Sequence, residues 1–115
     1  MNILVIPDGN IYHLTPLNSI VSCNKGFQKT VFALNNNESL ESDLPLSYFE
    51  KKLYLPPFYK PNANSLININ HISKITLQKP LYLMLKNHQT VPIDPEKIDA
   101  LIQIIQNRPH FQSFF

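Results

Sequence analysis

Phe58-Tyr59-Lys60-Pro61-Asn62-Ala63-Asn64-Ser65-Leu66-Ile67-Asn68-Ile69-Asn70-His71-Ile72 joins an aromatic pair and a lysine to a polar segment and then to an apolar run. From Leu66 to Asn70 apolar and polar residues alternate, which predicts a strand. Lys60–Asn64 reads as a loop, where asparagine tolerates left-handed backbone. Further on, His71–Leu77 keeps Ile72, Ile75 and Leu77 apolar. Leu81–Leu85 and Thr90–Ile93 flank Lys86-Asn87-His88-Gln89, a pattern that predicts a hairpin. Asp94-Pro95-Glu96 then opens a helix. Asp94 suits the N-cap, Pro95 the first helical position and Glu96 the positive end of the helix dipole. Ile98, Leu101, Ile102 and Ile105 make one apolar stripe, and Pro109 sets the limit, so helix is expected over Pro95–Gln106.

Toward the N-terminus the same theme holds. Leu46, Phe49, Lys52 and Leu53 recur at helical spacing between Pro45 and Pro56-Pro57, which predicts a short helix over Leu46–Lys52. Thr30–Leu34 and Ser19–Cys23 read as strands around Asn24-Lys25-Gly26-Phe27-Gln28-Lys29, with Gly26 available for a positive φ. Ile3–Ile6 and Ile11–Leu14 enclose Pro7-Asp8-Gly9-Asn10, a hairpin signal. Short strands therefore dominate, with one or two helices.

Composition sets the outer limits. A chain of 115 residues has the length of one domain, with a core over about residues 2–106 and a tail over 107–115. A chain of this size can bury enough surface to fold without metal or disulfide. No apolar run approaches the roughly 20 residues that span a bilayer. The first residues, broken at Pro7, do not read as a signal peptide. Cys23 is the sole cysteine, which rules out an internal disulfide and fits a cytoplasmic setting. Net charge is only +2, yet Lys51, Lys52, Lys60, Lys74, Lys79 and Lys86 fall in a stretch without Asp or Glu. That stretch suits a polyanionic partner. Lysines that solvate strand surfaces and edges account for it more simply.

Catalytic chemistry is not expected. His13, His71, His88 and His110 are scattered, and no cysteine pair completes a zinc site. With Gly9 and Gly26 as its two glycines the chain has no phosphate-cradling loop. Cys23, inside an apolar strand, is expected to be a small buried hydrophobe rather than a reactive thiol. Asp94, Glu96 and Asp99 sit where a helix's first turn accounts for them. No cofactor and no metal are expected.

The segment from Phe58 to Ile72 resembles the signature of the LytTR family of bacterial DNA-binding domains, through Phe58, Lys60, Leu66, Ile67, Asn68 and Ile72. The surroundings fit in order and spacing. Ile11–Ile20 looks like the family's opening strand and turn, Thr30–Leu34 like a following strand, Leu46, Phe49 and Leu53 like its short helix, and Val91-Pro92-Ile93 like its closing strand. The resemblance runs from about Asn2 to Ile105. It implies a mainly β fold with one or two short helices, elongated, built of small antiparallel sheets. The implied function is non-enzymatic binding of promoter DNA by a transcription regulator, with loops entering the major groove.

Carried over by position, the first loop, Asn24–Lys29, offers Lys25, Gln28 and Lys29 as DNA contacts. The second, Lys60–Asn64, offers Lys60 to phosphate and Asn62 or Asn64 to bases, since asparagine can pair bidentately with adenine. A solvated turn accounts for the same three residues. The chain also departs from the family. Ala63 stands where a base-contacting side chain usually sits, in a loop that is usually His-Arg-Ser or His-Asn-Ser. Asp94-Pro95 replaces the usual Ser-Arg after the closing strand. Two readings therefore stand. One is a DNA-binding regulator, alone or as a homodimer. The other is a protein-interaction module on the same scaffold, using Tyr54, Phe58 and Tyr59 and the tail residues Phe111, Phe114 and Phe115.

Overall fold

A computed structural model describes residues 3–107. The tail from 108 to 115, including Phe111, Phe114 and Phe115, lies outside the described residues. The Asp8-Gly9-Asn10 signal is realised as a hairpin: β1 (Ile3–Asp8) pairs antiparallel with β2 (Ile11–Pro16), and Gly9 takes the left-handed φ of 59° that the turn needs. A 3-10 turn at Leu17–Ser19 leads to β3 (Ile20–Gly26), followed by β4 (Lys29–Leu34) and β5 (Ser39–Ser42). Helix α1 covers Leu46–Lys52, the span expected from its apolar spacing and its flanking prolines. Next come β6 (Phe58–Asn62) and β7 (Ser65–Asn68), which complete a five-stranded antiparallel sheet in the order β5-β4-β3-β7-β6. Finally β8 (Ile72–Ile75), β9 (Tyr82–Leu85) and β10 (Thr90–Pro92) form a three-stranded antiparallel sheet, and α2 covers Ile98–Gln106. The molecule is elongated, with extents of 49 × 28 × 25 Å.

The five-stranded sheet is covered on both faces, so its central strand β3 is buried from Ile20 to Cys23. One face carries Ile20, Cys23, Phe32, Leu34, Phe58 and Leu66. These pack against Leu4 and Ile6 of the hairpin and Leu46, Phe49 and Leu53 around α1. The other face carries Val21 and Ile67 against Leu83, Leu85 and Val91 of the second sheet, Ile93 just after it and Leu101 of α2. An irregularity in the ladder between Ile20 and Ser22 inserts one residue. Ile20 and Cys23 therefore reach one core while Val21 reaches the other.

Several local expectations change. The strand expected to run to Asn70 stops at Asn68, where the Asn68 side chain accepts the Asn70 N–H at 3.0 Å and starts a 3-10 turn over Ile69–His71. Asp94 precedes a 3-10 turn at Pro95–Lys97 but makes no side-chain cap, and α2 begins only at Ile98. The positive φ of the β3–β4 connection falls on Gln28 (55°), not on Gly26. A Cβ at Gly26 would meet Cγ of Lys29 at 3.0 Å, a tight contact from which the lysine stem would have to shift.

The hairpin β1–β2 is apolar on both sides. Leu4 and Ile6 face the core, while Ile3, Val5 and Pro7 lie opposite Pro16, Leu14 and Tyr12 on the outer side. Val5 is 46% exposed, Leu14 69% and Tyr12 72%.

Cys23 is fully buried, and burial pushes its thiol well above the usual range. The folded state therefore holds the proton that the unfolded chain releases above its ordinary pKa, so this group lowers stability as pH rises through that value. Titration of the native protein with a thiol reagent at neutral pH should label Cys23 only on unfolding. Stoichiometric labelling within seconds would show an accessible thiolate and overturn this placement.

Candidate nucleic-acid interface

The β3–β4 ladder stays in register to the Gly26–Lys29 pair, so the expected six-residue loop narrows to a two-residue apex, Phe27-Gln28. Lys25 is exposed at the end of β3. Lys29 lays its stem across Gly26 and ends on Glu41 of β5, at 2.5 Å.

The second loop is a tight turn between β6 and β7. The Asn62 carboxamide oxygen accepts the Asn64 N–H at 2.8 Å, and its nitrogen donates to the Pro92 carbonyl at 2.6 Å. Both ends of Asn62 are thus engaged in holding the turn, while Ala63 and Asn64 stand exposed at its tip. Lys60 donates to a carboxylate oxygen of Glu50 on α1 and to the Ala63 carbonyl at 3.0 Å.

Hydrogen bonds tie the loops to one another. The Lys25 N–H donates to the Asn64 carbonyl at 2.9 Å, and the Asp94 N–H to the Pro61 carbonyl at 3.0 Å. Lys97 Nζ donates to the Lys60 carbonyl at 2.9 Å, and Tyr59 Oη to the Lys97 carbonyl at 3.2 Å. Burial first, and the negative charge of Asp94 second, raise the Tyr59 phenol above its ordinary pKa. Behind the loops, Ser22 donates to Gln89 at 2.8 Å, and Ser65 donates to Asn24 at 3.2 Å. This polar network locks the β9–β10 turn onto β3 and β7.

The result is an open cleft of about 370 Å³, lined by Lys25, Gln28, Lys29 and Ala63 from the two turns and by Asp43, Leu46, Ser47 and Glu50. Its charges are mixed. Lys29 and Lys60 each face a glutamate, whereas Lys25 makes no ion pair among the described residues. Gln28 and Asn64 make no side-chain hydrogen bond among the described residues, so their amides are open to a ligand.

All six sequence-predicted residues lie on this one end of the five-stranded sheet. Lys25, Gln28 and Lys29 come from the first turn, Lys60, Asn62 and Asn64 from the strand and turn beside it. The long acid-free stretch does not form one patch here. Lys51 and Lys52 sit on α1, Lys74 on β8 and Lys86 beside the β9–β10 turn, and Lys60 is its member that bonds a cleft residue, Glu50. Phe58 is buried in the first core and Tyr59 is half-buried, which leaves Tyr54 exposed from the aromatic segment. Sequence reading missed Glu41, Glu50 and Phe27. The glutamates pair with lysines 12 and 10 residues away, a spacing with no local signal across separate elements.

No helix among the described residues is long and apolar enough to cross a membrane. A comparison with curated proteins finds no match. Among solved structures, the LytTr DNA-binding domain of a protein from Bacillus cereus superposes with a TM-score of 0.74 at 16% identity, covering 92% of this chain and 98% of that one. At that identity the superposition speaks for the fold, with its small antiparallel sheets and two helices. The family model described as the LytTr DNA-binding domain matches residues 10–106, from the last residue of the hairpin turn through every loop of the cleft to α2. The chain belongs to the LytTR family.

Proposed function

We propose that this chain is a transcription regulator's DNA-binding module, acting in the cytoplasm on double-stranded promoter DNA. One observation carries the reading: the Lys25–Asn64 backbone hydrogen bond joins the two loop turns into a single projecting end that bears lysines and unengaged amides. Such an end suits a duplex, whose phosphates take lysines and whose base edges take amides. Lys25, Lys29 and Lys60 hold phosphates. Gln28 and Asn64 read base edges. Asn62 positions the turn, because both its oxygen and its nitrogen are already engaged. The chemistry is binding alone, with no reaction and no cofactor.

Glu41 and Glu50 temper this surface. Phosphate must compete with them for Lys29 and Lys60. Binding to random-sequence duplexes across a salt series tests the reading. Three lysine contacts should give a log–log slope of roughly −3, and Lys29→Ala or Lys60→Ala should flatten it by about one unit each. Glu50→Gln frees Lys60 and should tighten binding several-fold at fixed salt. Absence of wild-type binding at the lowest salt, or binding indifferent to salt, would sink the proposal. The protein-interaction reading loses Phe58 to the interior and keeps Tyr59, half-buried, and Tyr54, exposed. The outer face of the β1–β2 hairpin adds an apolar surface on which a homodimer or protein contact could form.

A further inference from the structure

The most exposed of the large apolar side chains among the described residues is Phe27, at 85%. It shares with Gln28 the two-residue apex between β3 and β4. Folding gives no account of a phenyl ring there, since Phe27 belongs to neither core. Turn chemistry gives none either. The demanding left-handed position is Gln28, and such apices ordinarily carry Gly, Asn, Asp or Ser. An isolated exposed apolar residue on a protein surface is unremarkable by itself. This one is different in its place: it stands between Lys25 and Lys29, on the projecting end that bears every candidate DNA contact.

A ring carried between two cations fits a surface that is anionic along its rim and apolar in its recess. The major groove of a duplex has that character. Phosphates line its edges, and each thymine presents a C5-methyl group on its floor. A narrow hairpin apex is also of a size the groove admits, as it admits a two-stranded ribbon. We infer that Phe27 is an apolar reader of thymine, its ring packed on a C5-methyl while Lys25 and Lys29 hold the adjoining phosphates. The inference rests on the DNA-binding reading and adds to it a base preference that no hydrogen-bonding residue of the two loops supplies.

The test separates the two. Duplexes are enriched from a random-sequence pool with the wild-type protein. They are then resynthesised with single thymines replaced by deoxyuridine, which deletes the methyl and keeps the base pair. At one or two positions the wild-type protein should lose about fourfold in affinity per deleted methyl, the loss expected for one methylene-sized apolar contact. Phe27→Ala should bind the thymine duplex correspondingly more weakly and be indifferent to deoxyuridine at those positions. Because Phe27 is solvent-exposed, its thermal midpoint should match wild type, and Phe27→Leu should retain part of the discrimination. Three results would overturn the inference while leaving DNA binding intact: wild-type indifference to every deoxyuridine, a Phe27→Ala variant that binds like wild type, or one that weakens yet keeps full deoxyuridine sensitivity. Failure of the wild-type protein to enrich any duplex at low salt would instead remove the DNA-binding reading, and this inference with it.

Discussion

Phe49→Ala is expected to lower the free energy of unfolding by about 3–5 kcal/mol, the range for truncating a fully buried phenylalanine. Phe49 has no exposed surface. It meets Phe32 of β4 edge-on, with ring centroids 4.8 Å apart at 89°, and Tyr48 at 5.1 Å and 87°. These are geometries that add to simple burial. Helix α1 is two turns long and too short to persist without tertiary support, so this ring is a main reason it stays on the sheet. Domains are typically stable by roughly 5–15 kcal/mol, so the variant should sit near its folding threshold. Urea unfolding followed by circular dichroism would show the midpoint falling at an unchanged slope. A loss below about 1 kcal/mol would mean that α1 is held by something other than this ring. The site feels the same change, because α1 supplies Glu50, Ser47 and Leu46 to the cleft wall.

The second large effect runs the other way. Ala63→Arg should tighten binding to selected duplexes by about tenfold, within the roughly 1–3 kcal/mol that a bidentate arginine–guanine pair contributes. Ala63 is exposed at the tip of the β6–β7 turn and lines the cleft beside Lys25 and Gln28. The new guanidinium enters without displacing core. Glu50 lines the same cleft and will draw part of its charge inward. The gain should therefore be greater in a Glu50→Gln background than in wild type. Mobility shifts of the four proteins form a cycle that reads this coupling directly. If Ala63→Arg leaves affinity unchanged in both backgrounds, the second turn does not face DNA.

Where the sequence was informative, the signal was local and apolar. Leu46, Phe49 and Leu53 between Pro45 and Pro56 specify α1 because spacing and breakers agree. Strand β5 carried no such signal. Ser39-Leu40-Glu41-Ser42 has a single apolar residue, and it becomes a strand because Leu40 pairs with Phe32 and packs on the first core. The Asn68 turn depended on a side chain bonding backbone two residues on, which propensity does not register. The six candidate contacts could be named from position, but not their occupation. Asn62 is held by Pro92, 30 residues away, and Lys29 and Lys60 by glutamates on other elements. An aromatic in a β-rich chain ordinarily packs in a core, so Phe27 carries no sequence signal of its own. Exposure, which only the fold reveals, distinguishes it.

The outer face of the hairpin implies a second kind of behaviour in solution, expected from its exposed apolar side chains. Ile3, Val5, Pro7, Tyr12, Leu14 and Pro16 present water with a strip that carries no charge, far in character from the lysine-bearing turns. Sulfate or phosphate added to a buffer screens the turns and weakens their hold on a polyanion. The same ions are excluded from apolar surface and drive such strips together. One reagent should thus move the two surfaces in opposite directions: conditions that weaken a hold on nucleic acid are those in which contact between hairpins is expected to strengthen.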